Sequence, residues 1–245
     1  MFADVFFEVI VKKLLNYFTK SEIILWISSV LLIVVSFLIF DRENYLTLFA
    51  SLIGITAIIF CAKGNPFGQV LMIIFSTFYA VISYSFAYYG EMLTYLGMTL
   101  PMAVFGLISW LRNPYQGNKK EVKVKNVTKT EISKIFIAAI FVSFIFYFIL
   151  KYFNTANLIP STLSVTTSFI AASFSYLRSP YFALAYASND IVLILLWVLA
   201  SFKDISYLSV IICFVVFLVN DLYGFISWLR MMKRQEKAIK SLLKY

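Results

Sequence analysis

The sequence predicts an all-α integral membrane protein with eight transmembrane helices. Composition and hydropathy both indicate this class. Of the 245 residues, 62% are hydrophobic and only 13% are charged, whereas about 25% of residues are charged in soluble globular proteins. The mean hydropathy is +0.88, and a soluble fold of this size has too little interior to bury so much apolar surface. We therefore expect the chain to fold in a lipid bilayer.

Eight apolar runs are long enough to cross the hydrocarbon core, which takes about 17–25 helical residues. Charged residues, glycine, proline or asparagine separate them, as expected at a membrane surface. The runs are Ile23–Phe40, Tyr45–Ala62, Phe67–Tyr89, Met92–Trp110, Lys134–Tyr152, Leu158–Leu177, Tyr181–Ser201 and Ser206–Trp228. Before them, residues 1–20 place lysines among phenylalanine and leucine, which predicts an amphipathic segment on the membrane surface.

The distribution of basic residues predicts the orientation of the spans. With a cytoplasmic N-terminus, 18 of the 21 Lys and Arg residues fall on the cytoplasmic side, and only Arg42, Lys151 and Lys203 lie outside. We therefore expect both termini in the cytoplasm and a location in the plasma or inner membrane. The net charge of +9 is explained by the basic residues that orient the spans. We therefore expect contact with membrane lipids and no binding of nucleic acid.

Two parts of the chain repeat each other. The fourth span ends in FGLISWLR at Phe105–Arg112, and the eighth ends in YGFISWLR at Tyr223–Arg230. A proline opens the third and the seventh span, at Pro66 and Pro180. Equivalent helices are four spans apart, so the two three-helix units share one orientation. Such parallel repeats, as in the sugar-transporting SWEET proteins, place a substrate site between the halves.

The predicted core therefore has a 3+1+3 arrangement of helices, preceded by one extra N-terminal helix. Its five parts are an amphipathic segment with the extra helix (1–44), the first repeat (45–112), a cytoplasmic loop with a connecting helix (113–157), the second repeat (158–230) and a basic cytoplasmic tail (231–245).

Two acidic residues, Asp190 and Asp221, lie well inside predicted spans. A carboxylate within a membrane helix costs at least about 2.5–3.5 kcal/mol on insertion scales, so it should face a protein interior or a wet cavity. Each follows an asparagine, Asn189 or Asn220. We expect these four residues to lie at a substrate site.

Three further residues are candidates by helical spacing. Trp197 shares a helical stripe with Asn189 or Asp190, Tyr223 shares one with Asn220, and Gln69 is a weaker counterpart in the first repeat. Amide, carboxylate, phenol and indole groups together suit a small, planar, hydroxylated molecule. The alternative is structural, because buried amides also bond helices to one another, for about 0.6–2 kcal/mol each.

Several functional classes are disfavoured. The chain has no histidine and no clustered acids, so neither a metal site nor an enzyme active site is expected, and no cofactor is predicted. It contains no phosphate-binding loop of an ATPase. A carrier of a small molecule remains, either a facilitator or one coupled to ions or protons through Asp190 and Asp221.

Several motifs, in their order and spacing, resemble the PnuC family of vitamin transporters. They are KGNPFG at Lys63–Gly68, YYGEM at Tyr88–Met92, LPM at Leu100–Met102 and the terminal Gly-x-x-x-Trp. The resemblance covers about residues 45–230. It implies uptake of nicotinamide riboside by facilitated diffusion, trapping by a cytoplasmic kinase, and assembly as a homotrimer. Relatives are thought to carry thiamine, riboflavin or deoxyribonucleosides, so these substrates stay open.

The resemblance also implies ligand-binding residues. Family members bind the ligand with Trp, Tyr, Asn and Gln side chains, which match Gln69, Asn189, Trp197, Asn220 and Tyr223 here. The family pattern offers no counterpart for Asp190 and Asp221, which are candidates on the cost of burial alone.

Overall fold

The computed structural model describes residues 17–85 and 89–242. Within them, eight helical segments are long and apolar enough to cross a membrane, which confirms the predicted fold class. The helices are α1 (Lys20–Phe40), α2 (Tyr45–Ala62), α3 (Phe67–Ser85), α4 (Tyr89–Arg112), α5 (Lys129–Tyr152), α6 (Leu158–Tyr176), α7 (Tyr181–Ser201) and α8 (Leu208–Leu242). The predicted amphipathic segment falls mostly on residues 1–16, outside the described residues.

Two helix ends differ from the sequence prediction. Helix α5 begins at Lys129, five residues before the expected start, because Thr128 and Glu131 form a capping box. Helix α8 continues past Trp228 to Leu242. Residues 231–242, which the sequence assigned to a basic tail, therefore belong to this helix.

Helix α4 contains an irregular turn. Residues Tyr95–Thr99 form a π-helical turn directly before the α-helical part that contains Pro101. Proline has no backbone N–H for the usual bond to the preceding turn, so a local rearrangement of the hydrogen bonds is expected here.

A short β-hairpin joins α4 to α5, where the sequence predicted only a loop. Its strands are β1 (Pro114–Tyr115) and β2 (Asn118–Val122). The backbone N–H of Val122 donates to the carbonyl of Gly64 at 2.9 Å, and that of Lys125 donates to the carbonyl of Arg178 at 3.0 Å. We call residues 113–128, which contain the hairpin and the chain that leads to α5, the hairpin segment. It thus contacts the turn before α3 and the turn before α7. We call this end of the bundle the hairpin end and the opposite end the mouth end.

The turns at Gly64 and Arg178 have the same backbone form, with φ of 65° and 58°. Glycine adopts this left-handed conformation without strain, but arginine does not. The Arg178 guanidinium donates to Ser109 Oγ at 2.7 Å and to the Lys123 carbonyl at 3.3 Å. These bonds hold the strained turn against α4 and the hairpin segment.

Two fully buried tryptophans tie the core together near the hairpin end. Trp110 Nε1 on α4 donates to the Ser175 carbonyl on α6, and Trp228 Nε1 on α8 donates to the Cys61 carbonyl on α2, both at 2.8 Å. Their rings lie 5.3 Å apart, centre to centre. Each tryptophan therefore bonds to the predicted three-helix unit that does not contain it.

Candidate substrate cavity

A cavity of about 330 Å³ lies among α2, α3, α4, α6, α7 and α8. This volume falls within the range of small-molecule sites, about 300–1,000 Å³. It runs from Cys61 and Phe182, near the hairpin end, to the exposed residues Asn157 and Asp204 at the mouth end. The cavity therefore reaches solvent at one end of the bundle.

The hairpin end of the cavity is closed by aromatic rings. Phe182 lines the cavity, and its ring packs edge-on against Trp228 at 4.8 Å and against Trp110 at 6.1 Å. Beyond them lies Val122 of the hairpin, which is also fully buried. A solute that enters from the mouth end meets this layer at the bottom of the cavity.

Asp190 on α7 and Asp221 on α8 both line the cavity, and their side chains are 4% and 6% exposed. They bring two acidic side chains to the same cavity from neighbouring helices. Asp190 Oδ2 has no partner within the described part of the chain. A buried acceptor without a partner costs about 1–3 kcal/mol, so the site favours a ligand with a donor or a positive charge.

Asn189 and Gln69 also line the cavity. Asn189 Oδ1 accepts a hydrogen bond from Thr167 Oγ1 at 2.8 Å, which fixes the amide and leaves its NH₂ group for a ligand. Gln69 Nε2 donates to Ser175 Oγ at 3.0 Å. Gly106 gives the Gln69 amide its space, since a Cβ at that position would lie 2.9 Å from Gln69 Oε1.

Trp197 lines the cavity from α7. Its ring packs against that of Tyr207 at 5.2 Å, and Tyr207 also lines the cavity. These rings offer flat apolar surface on which an aromatic ligand can stack. The structure thus brings together five of the predicted residues, namely Gln69, Asn189, Asp190, Trp197 and Asp221.

Asn220 and Tyr223 lie elsewhere, which corrects the expectation for both. Asn220 Nδ2 donates to Ser29 Oγ on α1 at 2.9 Å, and the Tyr223 hydroxyl donates to Glu22 Oε1 on α1 at 3.2 Å. Successive residues of an α-helix point about 100° apart. Because Asp221 faces the cavity, its neighbour Asn220 faces the extra helix instead.

Helix α1 is held to the core by a buried ion pair. Glu22, with its side chain 5% exposed, binds Lys63 at 2.9 Å. Glu22 directly precedes the first predicted span, Ile23–Phe40, and nothing in the sequence indicated this pair. The hydrogen bonds of Asn220 and Tyr223 to α1 show that the polar stripe of α8 also holds this helix.

Asn220→Ala is expected to lower the free energy of unfolding by about 1 kcal/mol, the net contribution of a buried hydrogen bond, without changing ligand affinity. Thermal unfolding of the purified protein measures the change in stability, and titration with ligand measures the affinity. Val219→Ala, at a half-exposed neighbouring position, is the matched control. Loss of binding with unchanged stability would restore Asn220 to the substrate site.

Other cavity residues were missed by sequence reasoning. Helix α6 presents Ser161, Ser164 and Ser168 to the cavity, at spacings of three and four residues that place them on one helical face. That spacing was a usable signal. Tyr79 also lines the cavity, and its buried hydroxyl has no partner among the described residues. It lies on the same helix as Gln69, ten positions further along, and sequence reasoning noted it there without making it a candidate.

A membrane-embedded bundle around a substrate-sized cavity, open at one end, defines a small-molecule carrier. The family described as nicotinamide mononucleotide transporter matches residues 44–230, so the chain belongs to this family. This finding confirms the resemblance to PnuC proteins and the prediction that the chain is not an enzyme.

Two relatives illustrate the similarity. The nicotinamide riboside transporter PnuC of Neisseria mucosa is 26% identical, over 91% of this chain and 86% of that protein. The crystal structure of the vitamin B3 transporter PnuC matches with a TM-score of 0.75 and 25% identity, covering 89% of this chain and 94% of that one.

Proposed function

We propose that this chain takes up nicotinamide riboside, or a closely related nucleoside-like vitamin, by facilitated diffusion. The cavity carries this proposal, because it is open at the mouth end, closed at the hairpin end and lined by polar groups suited to a hydroxylated aromatic ligand. The similarity to a nicotinamide riboside transporter supports the choice of substrate. Phosphorylation by a cytoplasmic kinase then traps the imported molecule.

Transport proceeds by alternating access of two parallel repeats, residues 45–112 and 158–230. The crosswise bonds of Trp110 and Trp228 support this arrangement, since each half contributes the same contact to the other. The matching turns at Gly64 and Arg178 support it as well. Movement of one repeat against the other then closes the mouth end and opens the hairpin end.

The hairpin end faces the cytoplasm in this proposal, so both termini are cytoplasmic and the cavity opens to the outside. The basic residues support this orientation. Lys63, Arg112 and Arg178 lie at the hairpin end, with the lysines of the hairpin segment, and basic loops are retained on the cytoplasmic side.

The substrate is held by Gln69, Asn189, Asp190, Trp197 and Asp221. The amides and carboxyls supply acceptors and donors for ribose hydroxyls and a carboxamide, and Trp197 supplies a face for the planar ring. All five line one cavity, which is the observation that supports this set.

Uptake into proteoliposomes tests the proposal. Labelled nicotinamide riboside is expected to equilibrate across the membrane without accumulating, whereas thiamine, riboflavin and deoxyribonucleosides are expected to compete weakly. Proton-coupled transport is the second candidate, favoured by the two acidic residues, Asp190 and Asp221, that line the cavity at membrane depth. Accumulation that depends on a proton gradient would replace the facilitator with the coupled carrier, and no uptake of any of these compounds would reject both.

A further inference from the structure

The charge of the cavity is opposite to that of the chain. The chain has 21 Lys and Arg against 12 Asp and Glu. The cavity nevertheless has no Lys or Arg among its lining residues within the described ranges, and its charged residues are all acidic. They are Asp190 and Asp221 at depth, and Asp41, Glu91 and Asp204 towards the mouth end.

Among the residues that the structure describes, Asp41, Glu91 and Asp204 form no ion pair, although Arg42 and Lys203 are sequence neighbours of Asp41 and Asp204. In the part of the chain that the structure describes, the ion pairs are Glu22–Lys63, Glu131–Lys125 and Glu121–Arg234, which lie at the hairpin end. Asp204 instead accepts a hydrogen bond from the backbone N–H of Ser206 at 2.9 Å. This bond holds the pKa of Asp204 below its usual value, so the side chain is charged at neutral pH.

Two buried polar groups show that the cavity is built for a ligand. Asp190 Oδ2 and the Tyr79 hydroxyl both belong to cavity-lining residues, 4% and 6% exposed, and neither atom has a partner among the described residues. Unpartnered groups this deep are costly unless a ligand or water bonds to them. The acidic residues near the mouth therefore line the entrance of a binding site and are not merely part of a solvated surface.

Clefts of one charge within low-dielectric walls concentrate ions of the opposite charge and raise association rates by about 10- to 10³-fold. A pyridinium nucleoside carries a positive ring. Its phosphorylated form adds a charge of about −1.5 to −2 and becomes an anion. An acidic cavity attracts the pyridinium nucleoside and repels its phosphorylated form.

We propose that Asp41, Glu91 and Asp204 are specificity determinants that select solutes of net positive charge at the mouth of the cavity and turn away phosphorylated ones. The assignment rests on the proposed function and deepens it, because it names the charge class of the substrate. These three carboxylates act before the substrate reaches the deep residues, so they govern the rate of entry more than the affinity of the bound state.

A pair of ligands with nearly the same shape tests this assignment. Nicotinamide riboside is a cation, and its reduced dihydropyridine form is neutral. In proteoliposomes at low ionic strength, the variant Glu91→Gln/Asp204→Asn is expected to lose about 10-fold in kcat/KM for the cation and to keep its value for the neutral form. High salt is expected to reduce the difference in kcat/KM for the cation between wild type and variant, because salt screens exposed charges.

Glu43→Gln is the matched control, since Glu43 is an exposed acid next to the mouth that does not line the cavity. Asp41 is left in place in the double variant because it also accepts a hydrogen bond from Asn44 Nδ2 at 2.8 Å and so supports the start of α2. Equal losses for both ligands, no loss for either, or the same loss in Glu43→Gln would overturn the assignment. A wild-type protein that carries neither ligand would instead reject the proposed function, and the assignment with it.

Discussion

Replacing Asp190 or Asp221 with asparagine is expected to weaken the binding of nicotinamide riboside by about 10- to 100-fold. Hydrogen bonds to charged groups contribute about 1.5–3 kcal/mol, and both carboxyls belong to buried residues that line the cavity. Asparagine has nearly the same volume as aspartate, so the packing between α7 and α8 is expected to be retained. Calorimetric titration of the purified variants measures the loss.

Asn220→Ala is the natural comparison for Asp221→Asn, because the two positions are adjacent on α8 but face α1 and the cavity respectively. A large loss of affinity at 221 and none at 220 would fit the geometry. Wild-type affinity in both aspartate variants would show that the deep carboxyl pair is not part of the substrate site.

Trp110→Ala and Trp228→Ala are each expected to lower the free energy of unfolding by about 3–5 kcal/mol, the usual cost of removing a large buried ring. Both rings are fully buried, and each also donates a hydrogen bond across the core. Phenylalanine at either position keeps most of the ring and loses only the bond, so a loss of about 1 kcal/mol is expected. Unfolding in mild detergent, followed by intrinsic fluorescence, measures these differences.

Trp26→Ala is the control for this series, since Trp26 on α1 is 37% exposed and faces outward for much of its surface. It should cost clearly less than either core variant. Because Trp110 and Trp228 make the same contact in opposite directions, their effects should be similar. A large loss at one position and none at the other would contradict their equivalence.

The spans were predictable because apolar length is a property of the chain itself. All eight appear in the structure near their expected positions, for example α2 over Tyr45–Ala62 and α7 over Tyr181–Ser201. The extension of α8 was not predicted, because the apolar run that marked the span ends at Trp228 and the polar residues after it carry no hydropathy signal. In the structure these residues contact the hairpin. Gln235, for example, bonds to the backbone of Val122 and Val124.

The candidate site was predictable in part. The cost of burying a carboxylate selected Asp190 and Asp221 correctly as cavity-lining residues. Helical spacing correctly grouped Asn220 with Tyr223 on one face of α8. It cannot show which helix packs against that face, and in the structure that helix is α1. Asp204 looked like an ordinary loop charge, because its position over the cavity depends on how the helices are assembled.

The hairpin segment sets a length scale for any motion at its end of the bundle. Val122 bonds to one turn and Lys125 to the other, and these residues are three positions apart. Even a fully extended chain spans only about 3.3–3.6 Å per residue, so the tether between the two attachment points measures at most about 11 Å. A separation of the turns beyond the reach of this tether must first break one of the two backbone hydrogen bonds. The cost of breaking that bond is then part of the barrier to opening the hairpin end.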